Sequence, residues 1–339
     1  MNTAAATPVA HLEAQIRWKP LEIAFWIALV LPFVLTQAYL SLASQVAITA
    51  LFALSLDLIL GYAGIVSLGH AAFFGLGAYT AGIVSKEGVV TAAGIGEPLI
   101  GLVLAGIVAG VAGYAASFII ARFRHLALIM ITLGLGLLLQ EAANSASWLT
   151  GGADGLQGIK IGPLAGTFKF DLYGQTAYAY SLAALVAGFL VARRLIHSPF
   201  GLALRGIREN LTRMPAIGAS SRAHIRKIYT ISAVMAGVAG ALLTQTTSTV
   251  SLESIGFQRS ADVLVILILG GAGRLYGGIV GALVYMVARD QFSGVNPQYW
   301  YFWIGLLLVI VVSFFRKGIV PSLDMLWRRV RTKPEGAAP

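Results

Sequence analysis

The sequence predicts an all-α integral membrane protein with about ten transmembrane helices, some short or broken, and with both termini in the cytoplasm. Three observations predict this class: a very apolar composition, apolar runs of membrane-spanning length, and an uneven distribution of basic residues. Hydrophobic residues make up 58% of the 339 residues and charged residues only 11%, whereas an average soluble domain has about 25% charged residues. The mean hydropathy is +0.81. Cysteine is absent, which excludes disulfides and thiolate metal sites.

Apolar runs occur along most of the chain. A transmembrane helix needs about 20 apolar residues, and the runs of about this length are 21–41, 98–120, 127–148, 175–192, 229–247 and 299–315. The run 45–85 is too long for one span, and we expect it to turn at GYAG, residues 61–64. The run 261–288 contains GGAGRLYGG. It is either one long kinked helix or two short helices that turn at Arg274.

The basic residues predict which side of the membrane each loop faces, because inner loops carry an excess of Lys and Arg. With ten spans, most bases fall inside, whereas nine spans would place the basic tail outside. The predicted organisation is an N-terminal cytoplasmic segment 1–20, a transmembrane domain 21–315 and a cytoplasmic tail 316–339. Its long loops are 193–228 inside and 150–174 outside. The net charge of +10 therefore indicates orientation in a lipid bilayer, not binding to nucleic acid.

The inner loop contains a predicted amphipathic helix that begins after Ser198-Pro199, a helix-start signal. Its apolar positions recur every three to four residues: Phe200, Leu204 and Ile207. The polar positions face elsewhere: Arg205, Arg208, Glu209 and Asn210. We expect the helix to end at Pro215. It is either a membrane-surface helix with its apolar stripe in lipid, or a docking element whose apolar anchors and charged rim suit a soluble partner.

The motifs of common enzymes are missing. The chain has no G-x-x-x-x-G-K-[ST] phosphate loop, and neither H-E-x-x-H nor G-x-S-x-G occurs. The five histidines lack ligand spacing. We therefore predict no catalytic residues, no metal site and no cofactor.

Polar side chains within the predicted spans are candidates for a path across the membrane, because such groups usually face the bundle interior or a water-filled cavity. They are Asp57, Ser67, His70, Thr132, Gln140, Glu141 and Asn144. Alternatively, Asp57, in the middle of the second span, and His70, on the third, hydrogen-bond to neighbouring helices. The last three either border a solute vestibule or cap the end of the bundle. Asp262 is a further acid within an apolar run.

Five motifs, in this order, resemble those of permease subunits of branched-chain amino-acid ABC importers of the LivM type, within the LivH/LivM family. They are GYAGIVSLGHAAFFGLGAYTAG (61–82), LTGGADGLQGI (149–159), SPFGLALRGIREN (198–210), YTISAVMAGVAGALL (229–243) and ILGGAGRLYGGIVGALV (268–284). The resemblance implies a second related permease in the bacterial inner membrane, two cytoplasmic ATPase subunits and a periplasmic substrate-binding protein. ATP hydrolysis is then expected on the partner chains.

The resemblance also implies a role for the inner-loop helix, which resembles the coupling helix that meets the ATPase. The residues concerned are Phe200, Gly201, Leu204, Arg205, Ile207, Arg208, Glu209 and Asn210. The implied solute is a branched-chain or other hydrophobic amino acid. The alternative is a stand-alone secondary transporter or channel for a small polar solute such as urea, an amide or a carboxylate. The lack of an acid–base chain across the membrane argues against a proton- or sodium-driven carrier.

Two segments depart from the family pattern. After residues 208–210 the chain reads LTRMPAIG, with Arg213 and Pro215 where small and acidic residues are usual. The fifth predicted span reads ITLGLGLLLQEAANSASW, where a more polar run is usual. The second departure falls where a solute would pass, so it leaves the identity of the solute open.

Glycines are concentrated at the predicted turns and spans. Each glycine lowers helix propensity by about 1 kcal/mol relative to alanine, so we expect these positions to be compensated by close helix packing or by a broken helix beside a polar path. They are Gly61, Gly64, Gly69, Gly75, Gly77, Gly271, Gly273 and Gly277.

Overall fold

The structure, a computed structural model, describes residues 20–35, 39–86, 97–164, 166–171, 174–314 and 318–322. The predicted cytoplasmic segments 1–20 and 316–339 lie outside these residues, apart from Pro20 and 318–322. The described α-helices are α1 (Pro20–Ala28), α2 (Pro32–Leu35), α3 (Leu40–Asp57), α4 (Ala71–Lys86), α5 (Pro98–Ile120), α6 (His125–Ser145), α7 (Ser147–Thr150), α8 (Gln175–Ile196), α9 (Pro199–Glu209), α10 (Ser221–Thr247), α11 (Phe257–Gly270), α12 (Leu275–Val295) and α13 (Trp300–Phe314).

The described helices include five that are long and apolar enough to cross a membrane: α3 with its extension to Tyr62, α5, α6, α8 and α10. The helices α11 and α12 make a sixth candidate if they are counted as one broken span. The chain is thus a multi-pass helical membrane protein. Short helices such as α4 and α13, of 16 and 15 residues, fit the expectation that some spans are short, and the number of about ten spans stays a prediction.

The run 261–288 forms two helices, as the second of the two alternatives predicted. The helix α11 ends at Gly270, α12 begins at Leu275, and their axes differ by 112°. Gly271 and Gly273 in the connection have φ values of +106° and +81°. Glycine adopts this left-handed backbone without steric cost, so the connection can reverse direction within four residues.

The run 45–85 leaves the helical conformation at the predicted turn, residues 61–64, but the non-helical segment extends further than predicted, to residue 70. After α3 the chain makes a π-helical turn, Leu58–Tyr62, and residues 63–70 then lack helical structure. Asp57 is therefore the last residue of α3 and not in the middle of a span, and His70 precedes α4 instead of lying on it. Both expectations were wrong because the unbroken apolar composition hides this buried, non-helical segment.

The centre of the bundle is α10, which packs against α3, α4 and α5. Small residues allow the backbones to touch: a Cβ added at Gly77 on α4 would overlap the backbone of Gly237 on α10. A Cβ at Gly240 would similarly overlap the Phe74 carbonyl. Such close approach increases van der Waals contact between membrane helices, which lack a hydrophobic driving force for association in lipid.

Leu156 and Ile159 of the predicted outer loop pack near Tyr79 on α4. Leu156 pairs with Val250 through two backbone hydrogen bonds of 2.9 and 2.8 Å. These residues form a small apolar cluster with Tyr79 and Ile255. The loop is thereby fixed to the bundle.

The helix α6 is the least buried of the full-length spans. Only Leu128, Thr132 and Gly136 among its described residues are buried. Leu138 and Met130 are 71% and 65% exposed. Because so large an apolar face must be covered in a membrane protein, it faces lipid or another subunit.

Candidate functional site

Three segments that are distant in the sequence meet at one end of the bundle, and we name this meeting point the junction. It consists of the end of α3 with residues 61–64, the inner-loop helix α9, and the α11–α12 connection, residues 271–274. The Gly273 N–H donates a hydrogen bond of 2.7 Å to Asp57 Oδ1. Arg208 on α9 donates a hydrogen bond to the Gly61 carbonyl oxygen. The inner-loop helix is therefore tied to the turn that follows α3, and α3 is tied to the break between α11 and α12.

Glycine is required at the junction because no side chain fits there. A Cβ on Gly61 would overlap Asp57 Oδ1 and lie 2.7 Å from Gly273 Cα. Gly64 has a φ of +72°, and a Cβ there would lie 3.0 Å from Arg208 Cγ. The three motifs that contain these residues therefore act as one packed unit.

The apolar stripe of α9 packs on the chain itself. Leu204 and Ile207 are each only 1% exposed. Gly201 lies against Ile196, and a Cβ on Gly201 would overlap the Ile196 carbonyl. Phe200 stacks on His224 with the ring centroids 5.3 Å apart. Leu204 and Ile207 therefore do not lie in lipid, as a membrane-surface helix would require. Docking of α9 to a partner stays a prediction. Amphipathicity shows that one face is apolar but does not show what covers it.

The arginines of α9 point to the turn after α3. Arg205 lies with its guanidinium carbon 5.6 Å from the centre of the Tyr62 ring, a distance at which a cation and an aromatic face attract each other. Arg205 thus adds a second contact to that of Arg208. Both bases hold α9 in place on the bundle.

The helix α9 ends at Glu209, six residues before the predicted end at Pro215. The Asn210 side-chain oxygen accepts hydrogen bonds of 3.1 Å from the N–H groups of Thr212 and Arg213. This turn, which asparagine favours, competes with helix continuation. A short 3-10 helix, Met214–Ile217, follows and leaves Ile217 74% exposed.

A cavity of about 520 Å³ lies beside the junction. Its lining includes Gly64, Arg208 and Glu209 from the junction, and Arg124 and His125 from the α5–α6 connection. This volume falls in the range of about 300–1,000 Å³ typical of small-molecule sites. A movement of α9 would therefore change the shape of a space large enough for a small solute.

Deeper in the bundle, His70 joins neighbouring helices. Its Nε2 lies 2.9 Å from Ser55 Oγ on α3, and its ring stacks on Phe52. The Ser232 hydroxyl on α10 donates a hydrogen bond of 2.5 Å to the Ser55 carbonyl, and Ser260 on α11 accepts one of 2.9 Å from the N–H of Ala71. The serines were not predicted, because a serine in an apolar run commonly bonds only to its own helix.

Thr132 and Gly69 join α6 to the segment before α4. Thr132 Oγ1 accepts a hydrogen bond of 3.2 Å from the Leu68 N–H. A Cβ on Gly69 would overlap the Thr132 carbonyl oxygen. Four of the path candidates lie at such internal contacts and are at most 1% exposed: Asp57, Ser67, His70 and Thr132.

The other three path candidates lie on the exposed half of α6. Gln140 is partly buried, whereas Glu141 and Asn144 are exposed. The Ser145 hydroxyl donates a hydrogen bond of 3.3 Å to Glu141 Oε1. These polar groups therefore belong to the outer face of this chain and not to its core.

Two remaining glycines lie where helices cross closely. A Cβ on Gly75 of α4 would overlap the Ile255 side chain, and one on Gly277 of α12 would overlap the Gly271 carbonyl. The second contact folds the α11–α12 connection back onto α12.

The chain is similar to known permeases of amino acid transport systems. A family model described as "Branched-chain amino acid transport system / permease component" matches residues 38–312. The chain is 29% identical over 316 residues to the high-affinity branched-chain amino acid transport permease LivM of Escherichia coli, covering 87% of this chain and 73% of the relative. It is 24% identical to a probable LivM of Methanocaldococcus jannaschii, covering 83% and 92%. It is 23% identical to LivH of Escherichia coli, covering 80% and 90%. No solved structure matches significantly. The chain therefore belongs to the family of permease components of branched-chain amino acid transport systems.

Proposed function

We propose that this chain carries branched-chain or other hydrophobic amino acids across the bacterial inner membrane, as a permease subunit of an ATP-driven ABC importer. Two cytoplasmic ATPase subunits hydrolyse ATP, a periplasmic binding protein delivers the solute, and a second, related permease pairs with this chain. The names of the relatives support this proposal, because LivM and LivH are both permease proteins of a branched-chain amino acid transport system in Escherichia coli.

In this assembly both termini lie in the cytoplasm and ten helical segments enter the membrane. The segments are α1, α3, α4, α5, α6, α8, α10, α11, α12 and α13. The basic residues between α8 and α10 support this orientation, because they place α9 and the junction on the cytoplasmic side.

The observation that carries the proposed mechanism is the connection of α9 to both helix breaks. A displacement of α9 by an ATPase subunit passes through Arg208 to the Gly61 carbonyl. It then passes through Asp57 to Gly273, where α11 turns into α12. Buried apolar residues on one side of α9 make it move with the bundle. The exposed Leu202, Glu209 and Ile217 remain available to the ATPase.

The exposed face of α6 faces the second permease in this proposal. Gln140, Glu141 and Asn144 then border the solute path between the two chains. The buried candidates, such as His70 and Thr132, hold helices together in this scheme and do not touch the solute.

The experiment is reconstitution of the purified importer with its binding protein in proteoliposomes. Arg208→Gln should leave the ATPase subunits bound, since α9 remains packed through Leu204 and Ile207. It should reduce solute uptake per ATP hydrolysed about tenfold, because a charge-assisted hydrogen bond to Gly61 is lost. Arg194→Gln, at an exposed arginine on α8, is the matched control and should leave uptake unchanged.

Two outcomes would contradict the proposal. Solute flux by this chain alone without ATP would assign it to the secondary transporters or channels. Normal solute uptake per ATP hydrolysed in the Arg208→Gln variant would show that the contact of α9 with Gly61 is not part of the mechanism.

A further inference from the structure

A second group of ionisable side chains lies near the opposite end of α11 from the junction. Arg259 and Asp262 on α11, together with Arg289 and Tyr285 on α12, line one narrow cleft beside α3. Ionisable side chains within membrane-spanning helices are rare and usually functional. The mechanism described above uses none of them.

The two arginines contact aromatic rings. The guanidinium carbon of Arg259 lies 5.1 Å from the centre of the Phe74 ring, and that of Arg289 lies 5.0 Å from the Trp300 ring. Within the part of the chain that the structure describes, neither guanidinium forms an ion pair or a side-chain hydrogen bond. The cation–π contacts orient the arginines but leave their N–H donors available.

The charges in the cleft do not balance. Two arginines and one aspartate line the cleft, and Asp262 Oδ1 accepts a hydrogen bond of 3.2 Å from the Gln258 side chain. Glu253, the next carboxylate near Arg259, is exposed and outside the cleft. The excess positive charge is costly between apolar helices, and a bound anion with a single charge offsets it. A pair of arginines is well suited to a carboxylate, because guanidinium and carboxylate groups match in geometry.

We propose that Arg259 and Arg289 bind the carboxylate of the transported solute, with Asp262 beside them facing its ammonium group. This inference rests on the proposed function, because an amino acid supplies both charges. The cleft has a volume of about 10 Å³, which is room for about one water molecule. A carboxylate oxygen therefore enters it, while the apolar side chain of the solute stays outside.

The test is equilibrium binding of radiolabelled leucine to the full-length chain in nanodiscs of zwitterionic lipid. Two competitors separate the charges: 4-methylpentanoate, which lacks the amine, and 3-methylbutylamine, which lacks the carboxylate. Arg259→Gln and Arg289→Gln should each weaken the binding of leucine and of 4-methylpentanoate about tenfold. The amine should not compete with leucine for binding. Asp262→Asn should weaken the binding of leucine but not that of 4-methylpentanoate. Lys160→Gln, at an exposed lysine of the outer loop, is the control and should bind normally.

Arg259→Lys and Arg289→Lys keep the charge and should retain an intermediate affinity, which tests the site even if a glutamine variant does not fold. Unchanged leucine affinity in the arginine variants would overturn the proposal, as would an absence of carboxylate-dependent binding to the native chain. Loss of co-purifying phosphatidylglycerol from variants that bind leucine normally would assign the cleft to a lipid phosphate instead. Co-purification of ATPase subunits with the same variants separates this result from a failure of the proposed function.

Discussion

Asp57 shows how one buried residue can connect two helix breaks. Its carboxylate lies at the end of α3, and its Oδ1 accepts the hydrogen bond of the Gly273 N–H at 2.7 Å. The glycine at position 61 makes room for this bond, since a Cβ there would overlap Oδ1. The carboxylate therefore stabilises a backbone conformation that lies more than 200 positions away in the sequence.

We predict that Asp57→Ala destabilises the protein by about 1–3 kcal/mol, because the partly buried Gly273 N–H loses its acceptor. Asp57→Asn should lower the free energy of unfolding much less, because the amide oxygen can still accept this hydrogen bond. Thermal unfolding of the detergent-solubilised variants measures the difference. Equal destabilisation by both substitutions would show that the charge of Asp57, and not its hydrogen bond to Gly273, supports the fold.

At the scale of helices, glycine contacts determine how closely elements approach. The segment before α4 touches α6 at Gly69, where a Cβ would overlap the Thr132 carbonyl. A side chain at this position would push the two backbones apart. Overpacking of this kind typically costs about 1–3 kcal/mol.

We therefore expect Gly69→Leu to abolish uptake while the protein still inserts into the membrane, because each helix keeps its apolar length. The matched control is Gly305→Leu on α13, where no atom lies within 4 Å of an added Cβ. Uptake assays and quantification of the protein in membrane fractions test this. Normal uptake by the Gly69 variant would show that the close contact with α6 is unnecessary for transport.

The elements differ in how well the sequence predicts them. The spans α5, α6 and α8 lie close to their predicted bounds, because length and apolarity determine a transmembrane helix. The non-helical segment 63–70 was predicted only at its start, as a turn at 61–64, since the composition of residues 65–70 resembles that of the helices beside them. The surface against which the apolar stripe of α9 packs was not predicted either, because such a stripe packs equally well on lipid, on a partner or on its own bundle.

At the scale of the whole molecule, α6 is the surface on which we expect the second permease to bind. The chain contains no cysteine, so single cysteines can be introduced without background reaction. Leu138→Cys on α6, alkylated with a maleimide photo-cross-linker, should form cross-links to the partner permease on illumination. Val111→Cys on α5, whose native residue is 65% exposed, should not, because we expect that face to contact lipid. The opposite pattern would place the subunit interface on α5.

The candidate site could be predicted only in part from the sequence. The motifs around Gly61, Arg208 and Gly273 were identified separately, as a turn, an inner-loop helix and a helix break. Their convergence depends on tertiary packing, which no local pattern encodes. Arg259 and Arg289 lie just beyond the two ends of the apolar run 261–288, and hydropathy does not show which side chains share a cleft.

The central claim is that α9 and the α11–α12 break move together, and a distance measurement between spin labels tests it most directly. The labels are placed at Glu209→Cys and Ala272→Cys, both exposed in the native chain, in the assembled importer with and without ATP. We predict one narrow distance distribution that is the same in both states and that broadens when Arg208→Gln is added. A distance that changes with ATP in the native background, or that is insensitive to the loss of Arg208, would contradict the proposed connection.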